Sequence, residues 1–337
     1  MASVRQLARE TGVSITTVSR VLNGYPLVSA DLRAKVLQAA NRIGYVPKVG
    51  GRSSTNIAFV YTGDWSLGSP FDMALLQGMS PALNEHGYDL LILSAKRARR
   101  ERDTYTQSFI RKGICGVILR TTSNTRVVCE EIAAEGFSSV VVADELEDPN
   151  VLCVDADASL ASRKALEHLL ALGHRRIAFT TNIVDDYDHR QRLAVYKQVL
   201  TEAGIPIDER LVLQEPAYQQ AGAQLLRQIM TMRDRPTAVF IADPLAAVGL
   251  LHEARRSGVE IPRQLSVIGF DDGVVRFGTH PHMSAVCQDV EALGREALAL
   301  LERVIQKDPL TKLGVTKPQC WLELHESTAP PEQVALP

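Results

Sequence analysis

The chain has 337 residues, 45% apolar and 23% charged, and a net charge of −2. That length exceeds one simple core and implies two or three compact units. The composition excludes a disordered chain, a collagen-like repeat and a disulfide scaffold. No run of about 18 apolar residues is present, so no membrane-spanning helix is expected. The opening MASVRQLARE lacks the apolar stretch of a secretory signal, so the expected location is the cytoplasm. The five cysteines, Cys115, Cys129, Cys153, Cys287 and Cys320, form no C-x-x-C pair. They read as small buried apolar residues, with no metal or cofactor expected.

Charge is unevenly placed. Residues 1–52 carry eight cationic against two acidic side chains, a net +6, which leaves −8 for the rest. A basic head on an acidic body fits a polyanion partner for the head, or simply a solvated basic face. In chain order, Ser3 caps a first short helix with Val4, Leu7 and Ala8 on its apolar face. Thr11-Gly12-Val13 makes a tight turn, with Gly12 free to take positive φ. Ser14 caps a second helix, Ile15–Leu22, whose Val18, Val21 and Leu22 face the core. Asn23-Gly24-Tyr25-Pro26 forms a loop. Ser29 caps a third helix that ends at Gly44. This is a helix-turn-helix pattern, although helical hairpins also pack protein partners. Its second helix exposes Ile15, Thr16, Ser19 and Arg20, the face that a recognition helix presents to the major groove.

The stretch VRQLARETGVSITTVSRVLNGYPLVSADLRAKVLQAANRIGYVP resembles the DNA-binding head of the lactose-repressor (LacI/GalR) family. The resemblance continues to residue 329 and implies a helix-turn-helix domain at 1–47, a linker at 48–56, an effector and dimerisation domain at 57–329 and a tail at 330–337. The residues it assigns to the DNA face are Ser3, Ser14, Ile15, Thr16, Thr17, Ser19, Arg20, Asn23, Ser29, Arg33, Tyr45, Lys48 and Arg52. The linker departs from the family. It lacks the leucine that wedges into the minor groove, and Gly50-Gly51 disfavours a helix by about 1 kcal/mol per glycine. It reads as a flexible Gly/Ser tether, with little kinking of the operator centre and Arg52 still able to reach the minor groove.

The body alternates β-rich and helical segments. Asn56–Tyr61, Asp89–Leu93, Gly116–Leu119, Ser139–Ala143 and Val151–Val154 form one strand series, with helices at Phe71–His86 and Thr104–Lys112. Arg176–Thr180, Leu211–Gln214, Ala238–Ala242, Ser266–Phe270 and Ala285–Gln288 form a second. The helices among these are Ser159–Leu172, Gln191–Ala203, Gln219–Thr231 and Ala246–Gly258. The expected fold class is α/β: an all-α head plus two Rossmann-like lobes. No phosphate-loop, dinucleotide or nucleophile-elbow motif follows a strand, so enzyme chemistry is not indicated. EHLLALGHRRIAF, QRLAVYKQVLTEAGIP and the block from Arg235 to Asp272 resemble the family's periplasmic-binding-protein-like (type I) domain. The implied lobes are 57–173 with 288–317, and 174–287 with 318–329. His174 is expected to be a loop hydrogen-bonder rather than a catalyst.

By the same resemblance, Arg192 reaches the effector, Asp271 at the end of G-F-D-D accepts sugar hydroxyls, and Phe71 is an apolar platform. Trp65 suits sugar stacking or core packing equally well. Arg120 ends the GVILR strand in a cleft-facing position. Asp155 and Asp157 follow another strand and are cleft or structural residues. Asp243 stands where the family usually has an amide, and Pro244 follows it in the first helical turn. Two arginines facing carboxylates suit a neutral sugar or polyol. An amine or nucleobase co-repressor is the alternative, and a free sugar-binding protein or enzyme is the rival disfavoured by the basic head.

The chain is therefore expected to be a homodimeric repressor on near-palindromic double-stranded DNA, with no membrane partner. Ile15 suits a thymine methyl, while Thr16 and Arg20 suit base edges or phosphate. Exchanging Ile15 and Thr16 should change the consensus recovered by binding-site selection, at roughly 1–3 kcal/mol per lost base contact. Neutralising Arg5, Arg33 or Lys48 should instead weaken all sequences alike and flatten the salt dependence.

Overall fold

The computed structural model describes residues 3–25, 27–45, 48–49, 52–63, 69–99, 103–308 and 318–332. The head contains α1 (Val4–Thr11), α2 (Ile15–Leu22) and α3 (Ala30–Ile43). All three expected caps form: Ser3, Ser14 and Ser29 accept from the backbone N–H of Gln6, Thr17 and Leu32. Gly12 closes α1 at φ 69° and Gly44 closes α3 at φ 63°, a region costly for other residues. Leu7, Val18, Val21, Val36 and Ala40 are fully buried and make the small core.

The linker is not a free tether. β1 (Lys48–Val49) and β2 (Arg52–Ser53) pair antiparallel, Lys48 opposite Ser53 and Val49 opposite Arg52. That pairing fixes the register of the two segments, and Gly50 and Gly51 lie outside the described residues.

The chain divides into two units: residues 1–67, 75–155 and 291–316, which include the head, and residues 68–74, 156–290 and 317–337. The first holds a parallel sheet of β3 (Asn56–Tyr61), β4 (Asp89–Ser94), β5 (Ile114–Arg120), β6 (Ser139–Val142) and β7 (Cys153–Val154), in the order β4-β3-β5-β6-β7. Its helices are α4 (Pro70–His86), whose first turn groups with the second unit, then α5 (Ala95–Ala98), α6 (Tyr105–Arg111), α7 (Arg126–Ala134) and α12 (Val290–Gln306).

The second unit holds β8 (Ile177–Asn182), β9 (Val212–Glu215), β10 (Ala238–Ile241), β11 (Ser266–Asp271), β12 (Ser284–Gln288) and β13 (Cys320–Glu323), ordered β13-β12-β11-β10-β8-β9. Only β13 runs antiparallel to its neighbour. Its helices are α8 (Ser159–Ala171), α9 (Tyr187–Glu202), α10 (Gln219–Thr231) and α11 (Pro244–Ser257). Two boundaries differ from expectation. The change of lobe falls after residue 155 rather than at 173, because α8 buries Ala161, Ala165, Leu166 and Leu169 in the second core. And α9 starts four residues early, at Tyr187, because Asp186 caps it by accepting from His189 N–H at 2.9 Å.

His174 is a buried loop hydrogen-bonder, as expected: Nδ1 meets Thr237 Oγ1 at 2.8 Å and Nε2 meets the Ala329 carbonyl at 2.9 Å. All five cysteines are unpaired. Burial pushes the Cys115 and Cys153 thiols up to about 11 and those of Cys129 and Cys287 to about 12, so they stay protonated and unreactive.

Each unit contains one helix pair in backbone contact through reciprocal glycines. A Cβ on Gly78 would lie 2.0 Å from the Glu291 carbonyl oxygen, and one on Gly294 would lie 2.1 Å from that of Leu75. A Cβ on Gly222 would lie 2.0 Å from the Ala246 carbonyl oxygen and one on Gly249 1.8 Å from that of Gln219, so α10 and α11 are likewise in close backbone contact. In an uncrowded helix, alanine for glycine stabilises by about 1 kcal/mol. Here Gly249→Ala should destabilise by about 1–3 kcal/mol or more through overpacking, read as a lower urea midpoint.

Candidate DNA interface and effector site

The head places the expected readers outward. Ile15 is 49% exposed, and Thr16, Ser19 and Arg20 are exposed beside it. Thr17 is half-buried, with its hydroxyl 2.9 Å from that of Ser14. Asn23 donates to the Ser19 carbonyl at 2.9 Å and closes α2. Arg33 reaches the Tyr25 carbonyl at 3.3 Å, and Arg20 lies over the Tyr25 ring, 5.5 Å from its centroid. Half-buried Tyr45 has its phenol pKa raised by desolvation. Lys48 and Arg52 sit on the paired linker strands. One residue escaped the sequence reading: Leu27, 87% exposed in the loop between α2 and α3. An apolar side chain that exposed beside a basic face is a visible signal of a contact surface.

In the second unit, strand register builds the candidate effector face. Phe240 pairs with Phe179 across β10 and β8, and Phe270 stacks on Phe240 with centroids 5.6 Å apart. Tyr196 of α9 stacks on Phe179, anchored by its hydroxyl donating to the Ile177 carbonyl at 2.8 Å. Arg192, one turn earlier on α9, lies at the end of this aromatic row. Its guanidinium carbon is 3.8 Å from the centre of the Phe270 ring, and Nη1 donates to the Ala242 carbonyl at 2.8 Å. Arg192 is 6% exposed. Asp188, four residues earlier, has an oxygen 3.7 Å from Nη2.

Asp243 uses Oδ1 to cap α11, accepting from Leu245 and Ala246 N–H at 3.0 and 3.1 Å. Burial raises its pKa; His189 and Arg192 counter this electrostatically. Pro244 occupies the first helical turn as expected.

The expected role of Asp271 is corrected. Its carboxylate, fully buried, accepts from the N–H groups of Gly273, Val275 and Arg276 and from Arg276 Nη1 at 2.8 Å. Those bonds saturate it in holding the loop after β11. Asp272, the first residue past the end of β11, is buried and bonded elsewhere. Asp272 accepts from Gln288 Nε2 at 2.8 Å, and its charge interacts with Arg192 and Asp243. Burial pushes its carboxyl up to about 7, against the pull of Arg192.

The remaining expected residues are distributed as follows. Phe71 is buried in the first turn of α4, within the second unit. Asp157 is exposed and accepts from Ser159 N–H at 2.9 Å, starting α8. Arg120, half-buried at the end of β5, and buried Asp155 belong to the first unit. Trp65 lies outside the described residues. Among the described residues, no group of three or more potential ligands is arranged for a metal, and no helix is long and apolar enough to cross a membrane.

Residues 3–48 match the profile of bacterial regulatory proteins of the lacI family, and residues 166–328 match a periplasmic binding protein-like domain. The chain thus joins a lacI-family DNA-binding head to a periplasmic binding protein-like domain. With that pairing it is a DNA-binding transcriptional regulator, and its relatives are regulators rather than enzymes. Catabolite control protein A of Priestia megaterium is 26% identical over 333 residues, 97% of this chain and 99% of the relative. The transcriptional repressor CytR of Escherichia coli K12 is 29% identical over 312 residues, 89% of each chain. The structure of the regulator CelR in complex with cellobiose superposes with a TM-score of 0.67 at 27% identity, covering 97% of this chain and all of the other.

The raised Asp272 pKa makes stability depend on pH. Its ordinary value, near that of the unfolded chain, is about 4. The folded state therefore binds this proton more tightly. The stabilisation is complete below about pH 4 and is lost as pH rises through about 7. Asp272→Asn keeps an acceptor for Gln288 and removes the titration. Its stability relative to the parent should rise between about pH 4.5 and about pH 8, on the order of a few kcal/mol, as read from urea midpoints.

Proposed function

We propose that this regulator is a repressor that binds a near-palindromic operator as a homodimer. We further propose that its effector is a neutral sugar or polyol, held in the second unit by Arg192, Asp243 and Asp272. The operator partner makes the bacterial cytoplasm its site of action. The observation that carries the effector reading is the buried Arg192. Its flat guanidinium is fixed on Phe270 and one backbone carbonyl, with carboxyl groups around it. Such a fork suits vicinal hydroxyls, whose donors and acceptors match the mixed set. The named binding partner of one structural relative, cellobiose, is of this class.

Asp188, Asp243 and Asp272 outnumber the one guanidinium, which favours an amine-bearing effector as the second reading. The same excess disfavours a phosphorylated one. A thermal-shift screen of sugars, nucleobases and amines separates these classes. Arg192→Ala should weaken the responding ligand by about 1.5–3 kcal/mol, roughly 10- to 100-fold, while operator affinity without ligand is kept. Calorimetry showing full ligand affinity in this variant would sink the assignment. Asp243→Asn should be mild for a neutral sugar and severe for an amine.

A further inference from the structure

His189 has no counterpart among the residues assigned above, yet its surroundings are built. It lies in the first turn of α9, three residues before Arg192, so the two side chains share a helix face. Its Nδ1 is 2.8 and 2.9 Å from the two carboxylate oxygens of Asp186. Asp186 also accepts from the His189 N–H, so one side chain both starts the helix and holds the ring. The imidazole is 11% exposed, and its Nε2 is buried with no hydrogen-bond partner among the described residues. Asp243 is close enough to interact electrostatically with both His189 and Arg192.

The proton position follows from Asp186. A carboxylate only accepts, so Nδ1 carries a hydrogen, and the tautomer this selects presents a lone pair at Nε2. A buried acceptor of this kind is poorly tolerated unless something donates to it. Its natural complement is an O–H or N–H group arriving with a ligand.

We infer that His189 is a specificity-determining residue of the effector site, its Nε2 accepting a hydrogen bond from one hydroxyl of the sugar, with Asp186 as the positioning residue that fixes the tautomer. This rests on the reading of the Arg192 face as the effector site. It adds a requirement that Arg192 does not impose. Arg192 donates only, so it selects acceptors; His189 selects a donor at one defined position.

The test uses the full-length protein and calorimetry with D-glucose, D-ribose and cellobiose, then with the monodeoxy analogues of whichever sugar binds most tightly. His189→Ala should weaken that sugar about tenfold while leaving operator affinity and melting temperature near those of the parent. His189→Gln, whose carboxamide oxygen is again an acceptor, should recover part of the loss. Asp186→Asn keeps a helix cap but can donate to Nδ1, which turns Nε2 into a donor; it should cost about as much as His189→Ala. One deoxy analogue should bind the parent about tenfold more weakly than the sugar does and bind His189→Ala no more weakly than the sugar does. Full sugar affinity in His189→Ala, with binding lost in Arg192→Ala, overturns the role of His189 and leaves the effector site standing. A parent protein that binds none of the three sugars overturns both.

Discussion

A guanidinium in the interior is the constraint around which the second unit is organised. Arg192 is always charged, and it has been taken out of water at 6% exposure. Only compensation makes that tolerable. The Phe270 ring offers its negative face, the Ala242 carbonyl accepts one N–H, and Asp188 supplies the counter-charge from one helical turn away. Each partner in turn depends on the sheet. The row Phe179–Phe240–Phe270 exists because β8, β10 and β11 are parallel neighbours, and α9 is seated on it by Tyr196. Register, aromatic packing and site charge are therefore one problem with one solution.

Local chemistry was readable from the chain, and long-range pairing was not. The serine caps, the left-handed glycines and the strand alternation depend on a few adjacent residues. They were legible for that reason. The start of α9 depends on Asp186 too, but the motif around Arg192 draws the expected boundary to Gln191. The choice between Asp271 and Asp272 was not legible at all. The two stand side by side in one motif, and what separates them is a salt bridge from Arg276, itself held by Glu323 of β13. β13 comes from far along the chain and was not anticipated, nor were α7 and α12.

The same division explains why the recognition head was easier to interpret than the effector face. A recognition helix is specified by its own surface, so Ile15, Thr16 and Arg20 can be judged without the body. The proposed effector face is assembled from helix starts and strand ends scattered over some hundred residues. Its key groups have altered acidity only after folding: Asp272 is an ordinary aspartate in the sequence and a half-protonated one near neutral pH in the fold.

The paired linker changes how far apart two heads can stand. Six extended residues from Lys48 to Ser53 would span roughly 20 Å. Because Lys48 lies opposite Ser53, that segment begins and ends across a single ladder, about 5 Å apart. The leash is thus shortened to a fraction of its contour. In the proposed homodimer, two heads carried on such short leashes have little freedom to adjust to a stretched operator. Discrimination between half-site spacings then comes from the arithmetic of the tether, before any base is read.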